Sequence, residues 1–279
     1  MKKYQLKLYF KNRHIQKVIP WVVPLLLLFL WQLFSMIGWI PTRILPAPLS
    51  VVGAAIQLAK SGELFRNISI SATRATMGFL IGGSLGFGLG VLNGIYPLAE
   101  ELLDTSLQML RNIPNLALIP LVILWFGIGE EARLFLVSLG VMFPIYLNTF
   151  HGIRSVDPGL IEMGKVYGLN AWGLFWRIIL PGAMSSILVG VRFSLGIMWL
   201  TLIVAETIAA DSGIGYMAMN AREFMQTDVV VLSILVYALF GKLADVIARA
   251  LEGYWLQWNP SYQRNKKKKR EKLTLSSSV

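Results

Sequence analysis

The sequence predicts an all-α, polytopic membrane protein with six transmembrane helices, and three observations carry that prediction. Hydrophobic residues make up 55% of the 279 positions and charged residues only 15%. Mean hydropathy is +0.60, a balance that a soluble domain does not show. The apolar residues gather in six runs of a length suited to a bilayer core about 30 Å thick. The formal net charge of +11 is carried largely by the two ends of the chain.

The elements follow in order. The run 19–38 is about 20 residues long and has no small-residue cleavage site, so it is expected to remain as the first span rather than act as a removable signal. Segment 39–73 opens with Pro41, Pro46 and Pro48. It continues with Leu49, Val52, Ala55, Ile56 and Ala59 at helical spacing and closes at Ser61-Gly62, which predicts an amphipathic helix along the outer interface. The remaining spans are expected at 74–95, 113–126, 132–150, 183–205 and 229–248. The third is short and carries Pro114 and Pro120; Pro120 and Pro144 each remove a backbone hydrogen bond and should kink their spans.

An even number of spans puts both termini on one side. The basic residues Lys2, Lys3, Lys7, Lys11, Arg13 and Lys17 stand at one end of the chain, and Arg264, Lys266, Lys267, Lys268, Lys269, Arg270 and Lys272 at the other. The positive-inside rule makes that side the cytoplasm, with 97–112 and the loop 151–180 also there: roughly 18 Lys and Arg face inward against about six outward. The chain thus divides into a basic cytoplasmic tail 1–18, a membrane domain 19–258 and a basic tail 259–279 too poor in apolar residues to fold. Tails of this kind beside spans fix orientation and touch anionic lipid, so the net charge is no argument for nucleic acid.

Several function classes drop out. The chain has no cysteine and only two histidines, His14 and His151, so thiolate and histidine metal sites and a cysteine nucleophile cannot be assembled. No Gly-x-x-x-x-Gly-Lys-Ser/Thr, His-Glu-x-x-His or Gly-x-Ser-x-Gly motif occurs. No catalytic residue, metal ligand or cofactor is expected on this chain, and any ATP must be handled by another polypeptide.

The loop 151–180 is the most informative stretch. Asp157-Pro158 reads as a helix start, Gly168 as a left-handed close, and Asn170 as the cap of a second helix carrying Ala171, Trp172, Leu174, Phe175 and Trp176 before Pro181 resets the backbone. Glu162, Gly168, Ile178, Leu180 and Pro181 stand at the offsets of the "EAA loop", and the chain therefore resembles ABC importer permeases; Met163 and Gly164 replace that pattern's two alanines. Two further stretches, 124–131 and 205–216, resemble the subfamily of sulfonate, taurine, nitrate and thiamine-precursor permeases, and the likeness runs from about Leu45 to Trp258. Within the subfamily the whole sequence looks most like the aliphatic sulfonate permeases.

The resemblance implies a type I importer permease fold and an inner-membrane transport role. It further implies a cytoplasmic ABC ATPase that holds the ATP and Mg and docks on the loop, an extracytoplasmic solute-binding protein, and a permease homodimer. A rival reading, an intramembrane enzyme or autonomous channel, would need catalytic polar residues facing one another within the membrane.

Three constellations inside the spans remain. Gly78, Gly82, Gly86, Gly90 and Gly94 form a ridge of glycines four apart, a surface for close helix approach that is either a sliding or a fixed seam. Arg192 sits about 16 Å beyond Pro181, near mid-bilayer, and is read as the lone basic residue deep in a span; it either attracts an anion or pairs with a carboxylate of the same chain. Glu206 ends the fifth span and is either part of an outer gate or a wetted helix end. Lys242 and Asp245, three apart, are assigned no role.

Overall fold

The computed structural model describes residues 13–258, and the regular structure there is entirely helical. The tail segments 1–12 and 259–279 lie outside the described residues. The helices are α1 (Arg13–Ile37), α2 (Pro48–Lys60), α3 (Glu63–Ile95), α4 (Pro97–Arg111), α5 (Ile119–Phe126) and α6 (Glu130–Arg154), followed by α7 (Pro158–Val166), α8 (Ala171–Leu174), α9 (Leu180–Ala209), α10 (Ile214–Glu223) and α11 (Thr227–Trp255).

Among the described residues four helical stretches are long and apolar enough to cross a membrane: α3, α6, α9 with its lead-in from Ala171, and α11. The pair formed by α4 and the segment Asn115–Phe126, bent by 85°, makes a fifth where the two halves act as one broken span rather than a re-entrant loop. The sixth expected span falls in α1, where the apolar stretch Val22–Ile37 is shorter than those of the other spans.

The middle helix is α6, and small residues on both neighbours explain why. All five ridge glycines of α3 face it: a β-carbon at any of them would fall under 3.0 Å from an α6 atom, onto the carbonyl oxygens of Ser138 at Gly82 and Met142 at Gly86, and at 2.6 Å from Thr149 Cβ at Gly90. The ridge is therefore spent inside the protomer, in the most extensive helix contact of the fold. On the other side, α9 lays Gly190 against Asn148 and the Pro144 carbonyl. Its Ser194 and Ser186 hydroxyls donate to the Val141 and Asn148 carbonyls at 3.0 and 2.8 Å. Such interhelical hydrogen bonds contribute about 0.6 kcal/mol each in a membrane. Val137, Val141, Ile145, Met198 and Leu202 fill the core between these helices.

Two expectations about the bounds are corrected. Segment 97–112, read as a connector outside the membrane, is the helix α4, and its contacts step backward along α6: Glu100 pairs with Arg154, Asp104 accepts from the Tyr146 hydroxyl at 2.9 Å, and Asn115, just past the bend, reaches Gly140. It therefore climbs antiparallel to α6 before turning. The second span begins not at Arg74 but at Glu63, after Gly62 turns the chain with φ +79°. Helix α2 forms where the amphipathic stretch predicts it. Its Leu49, Val52 and Ile56 are exposed, while Val51 and Ala54 are buried on the side nearer α11.

Candidate functional site

Local chemistry builds the loop 151–180 as its sequence predicts. The Gly159 N–H donates to Asp157 Oδ1 at 2.8 Å, Pro158 occupies the first turn of α7, and Gly168 takes φ +78°. The Gly173 N–H donates to Asn170 Oδ1 at 2.8 Å to start α8. Gly164, where the family pattern has alanine, is buried against Ile178, Leu174 and Leu169, so the missing methyl group lets α7 lie close on the following turn. Pro181 does not reset the backbone. A π turn over Phe175–Ile179 leads straight into α9, and its wider hydrogen-bond ring accommodates a residue without an N–H. Glu162 is solvent-exposed. Around it Val166 and Tyr167 are 85% and 80% exposed, with Trp172 at 70%, an apolar patch of the kind that marks a protein contact.

At the opposite end Glu206 is not a wetted helix end: it is 1% exposed and sits at the centre of a polar hub. Its carboxylate accepts from the Ser71 hydroxyl at 2.8 Å, the Tyr237 hydroxyl at 2.8 Å, the Gly215 N–H at 2.9 Å and Arg74 Nη1 at 2.8 Å. Arg74, 3% exposed, also donates through Nε to Glu130 at 2.7 Å, pairs with that carboxylate through Nη2, and donates to the Ser212 carbonyl at 2.6 Å. Asn67 Oδ1 and Ser71 Oγ accept the N–H groups of Gly213 and Ile214 at 2.9 Å each. Arg133 joins Glu130 at 2.8 Å. Five elements, α3, α6, α9, α10 and α11, are thus tied at one end by saturated polar groups, buried apart from the half-exposed Glu130, the condition under which buried charge is tolerated. In the turn before α10, the Asp211 carboxyl is held below the usual carboxylate range by its own backbone N–H first, then by the Ser212 hydroxyl.

Arg192 lies where α9 meets α11, and its charge is shared within the chain: Asp245 at 3.0 Å and Glu252 at 3.7 Å flank it, and Asp245 also meets Lys242 and Arg249. It is not the only basic residue well inside a helix, since Arg74 stands about as far along α3 as Arg192 does along α9; Arg74 and Arg133, in the hub, are also far more buried. Arg192, Asp245 and Glu252 line a cleft of about 620 Å³. A second cleft of about 610 Å³ opens on the other side of Phe193, between α9, α6 and the α4–α5 bend. Among the described residues no group of three acidic or histidine side chains gathers that could hold a metal ion.

Sequence reasoning found Glu206, Arg192 and the loop but missed Arg74, Glu130 and Tyr237. A signal for part of the hub was present: Asn67, Ser71 and Arg74 stand at i, i+4 and i+7, sharing one face of the helix. Tyr237 carries no such signal.

The fold is thus a polytopic bundle of membrane-length helices around α6, with a largely buried ionic hub at one end and an apolar-tipped loop at the other. Residues 78–253 match the family model described as "binding-protein-dependent transport system inner membrane component", and the chain belongs to that family. It is 63% identical over 251 residues to the putative aliphatic sulfonates transport permease protein SsuC of Escherichia coli strain K12, covering 90% of this chain and 95% of that protein. It is 44% identical to the protein of the same description from Bacillus subtilis strain 168, over 87% of this chain and 88% of that one. Identity to the taurine transport system permease protein TauC of Escherichia coli K12 is 32%, over 85% and 88%.

Among solved structures, the inward-facing MetNI methionine ABC transporter matches with TM-score 0.53 at 18% identity, covering 67% of this chain and 95% of that one. An amino acid ABC transporter with histidines matches with TM-score 0.55 at 14% identity, over 70% and 97%. These show the type I importer permease fold.

Proposed function

We propose that this protein is the membrane-spanning subunit of an ATP-driven importer of aliphatic sulfonates. The observation that carries this is the 63% identity across nearly the whole of both chains to an aliphatic sulfonates permease, twice that to the taurine permease. Both termini and the loop 151–180 face the cytoplasm on the positive-inside count. A separate ABC ATPase, which holds the ATP and Mg, seats on the helix around Glu162; the capped α7, the left-handed Gly168 and the exposed Tyr167 and Trp172 support this. Ile178, Leu180 and Pro181 join that loop rigidly to α9, so that movement of the ATPase tilts the span.

Two copies form the pathway, consistent with the exposed Val189, Phe193 and Leu200 along one side of α9. An extracytoplasmic binding protein delivers solute at the Glu206 end, where the hub holds the outer gate. Arg192 with Asp245 lines the pathway lower down. The test is growth of a strain lacking this gene on 1-hexanesulfonate, taurine or sulfate as sole sulfur source, with and without the gene restored. Loss and recovery on hexanesulfonate alone is expected; recovery on taurine alone would overturn the substrate assignment.

A further inference from the structure

We infer that the cleft between α9, α6 and the α4–α5 bend is an intramembrane binding site for the sulfonate itself, with Arg111 as the cation that holds it. The inference rests on the function proposed above and adds a site to it. Arg111 ends α4, which climbs along α6 from Glu100 beside Arg154 to Asn115 beside Gly140, so this exposed residue stands beside the middle turns of α6, at the mouth of the cleft they line. A charge at that depth must face protein or a water-filled cavity and marks a functional site by default. Arg111 lines the cleft of about 610 Å³ and has no hydrogen bond or ion pair among the described residues. Arg192, across Phe193, is different, because Asp245 and Glu252 already neutralise it.

The rest of the lining fits one chemistry. No carboxylate lines the cleft. Inside it, Thr201 Oγ1 and Asn115 Nδ2 converge over Gly140, 2.9 and 3.1 Å from where a β-carbon there would lie, and neither side chain makes a hydrogen bond among the described residues. Glycine at 140 keeps that space open. Apart from Asn148, whose amide donates to the Pro144 carbonyl at 2.8 Å, the remaining wall is apolar, made chiefly by Phe143, Val189, Phe193 and Leu200. A sulfonate has three acceptor oxygens and no donor, so an unpaired guanidinium, an amide N–H and a hydroxyl suit its head, and the apolar wall suits an alkyl tail. A carboxylate-rich cleft would repel the same ligand.

The test uses the importer purified with its ATPase, in nanodiscs of neutral phosphatidylcholine, without nucleotide or binding protein. The chain has no cysteine, so Leu116→Cys on the cleft wall serves as reporter, and 1-hexanesulfonate should slow its modification by a thiol reagent while 1-hexanol does not. Arg111→Gln should raise the sulfonate concentration needed for protection at least about tenfold, the loss of one charge-assisted contact, with Arg111→Lys intermediate. Thr201→Val should raise it about threefold, and it decides the matter if Arg111→Gln fails to assemble.

Absence of protection in a complex that still takes up hexanesulfonate overturns the site and leaves the proposed function standing. A cysteine unreactive with or without sulfonate means that a second copy covers the cleft, and protection equal in all variants removes Arg111; either overturns the inference. Protection lost in nanodiscs containing phosphatidylglycerol assigns the cleft to lipid headgroups instead. A complex that transports no sulfonate at all defeats the functional reading itself.

Discussion

Glu206→Gln is the substitution whose effect can be worked out most fully from the hub. The change keeps the shape and removes one negative charge, so any loss comes from electrostatics rather than from a cavity. Oε1 faces Arg74 Nη1 at 2.8 Å and Oε2 faces the Gly215 N–H at 2.9 Å. Both are donors that cannot turn round to accept, whereas the Ser71 and Tyr237 hydroxyls can. Whichever way the glutamine amide is placed, its NH₂ therefore meets a donor. One buried donor is left unsatisfied, at about 1–3 kcal/mol, and a hydrogen bond between charged groups worth about 1.5–3 kcal/mol is weakened.

Arg74 keeps Glu130, whose side chain is 54% exposed, so the guanidinium is not stranded. The total falls in the range of about 3–5 kcal/mol typical for breaking a buried pair. At about 2–4 °C per kcal/mol for a chain of this size, the melting temperature should drop by about 6–20 °C. Thermal unfolding in detergent, followed by size-exclusion with fluorescence detection, measures it. Asp245→Asn is the control, because its ion pairs lie in contact with solvent, where screening leaves them little effect on stability. Equal melting temperatures for the two variants would refute the claim that burial makes the Glu206 hub a keystone.

Three further outcomes are expected. Gly86→Leu should cost at least about 1–3 kcal/mol in bundle stability, since its β-carbon meets the Met142 carbonyl, while Leu85→Ala on an exposed face should change little; comparable melting points would show that the ridge is not tightly packed. Gly168→Trp should leave insertion intact, because no atom lies within 4 Å of its β-carbon direction and only about 1–2 kcal/mol of left-handed strain is added, yet it should abolish co-purification of the ATPase; retained co-purification would place the docking surface elsewhere. Arg192→Ala should lower uptake per assembled complex in proteoliposomes well below its effect on assembly, with Arg192→Lys intermediate because lysine keeps a charge for Asp245 but loses the planar fork; failure of assembly would make the residue purely structural.

What the sequence determined by itself was everything set by neighbours along the chain. The membrane class follows from runs of apolar residues. The helix–turn–helix of the loop follows from Asp157, Pro158, Gly168 and Asn170, because caps and left-handed closes act within three or four residues. The glycine ridge was legible as a stripe, since a helix fixes which residues share a face, although the stripe did not name α6 as its partner.

Only the tertiary structure decided which faces meet. Glu206 finds Arg74 across 132 residues, and no local pattern encodes a pairing at that range, because it exists only after α3, α6 and α9 have packed. The same holds for Arg192 and Asp245, 53 residues apart. It also holds for Arg111: the sequence shows it at the end of an amphipathic helix, but its depth is set by the climb of α4 along α6, a consequence of Glu100, Asp104 and Asn115 meeting successive turns of another helix.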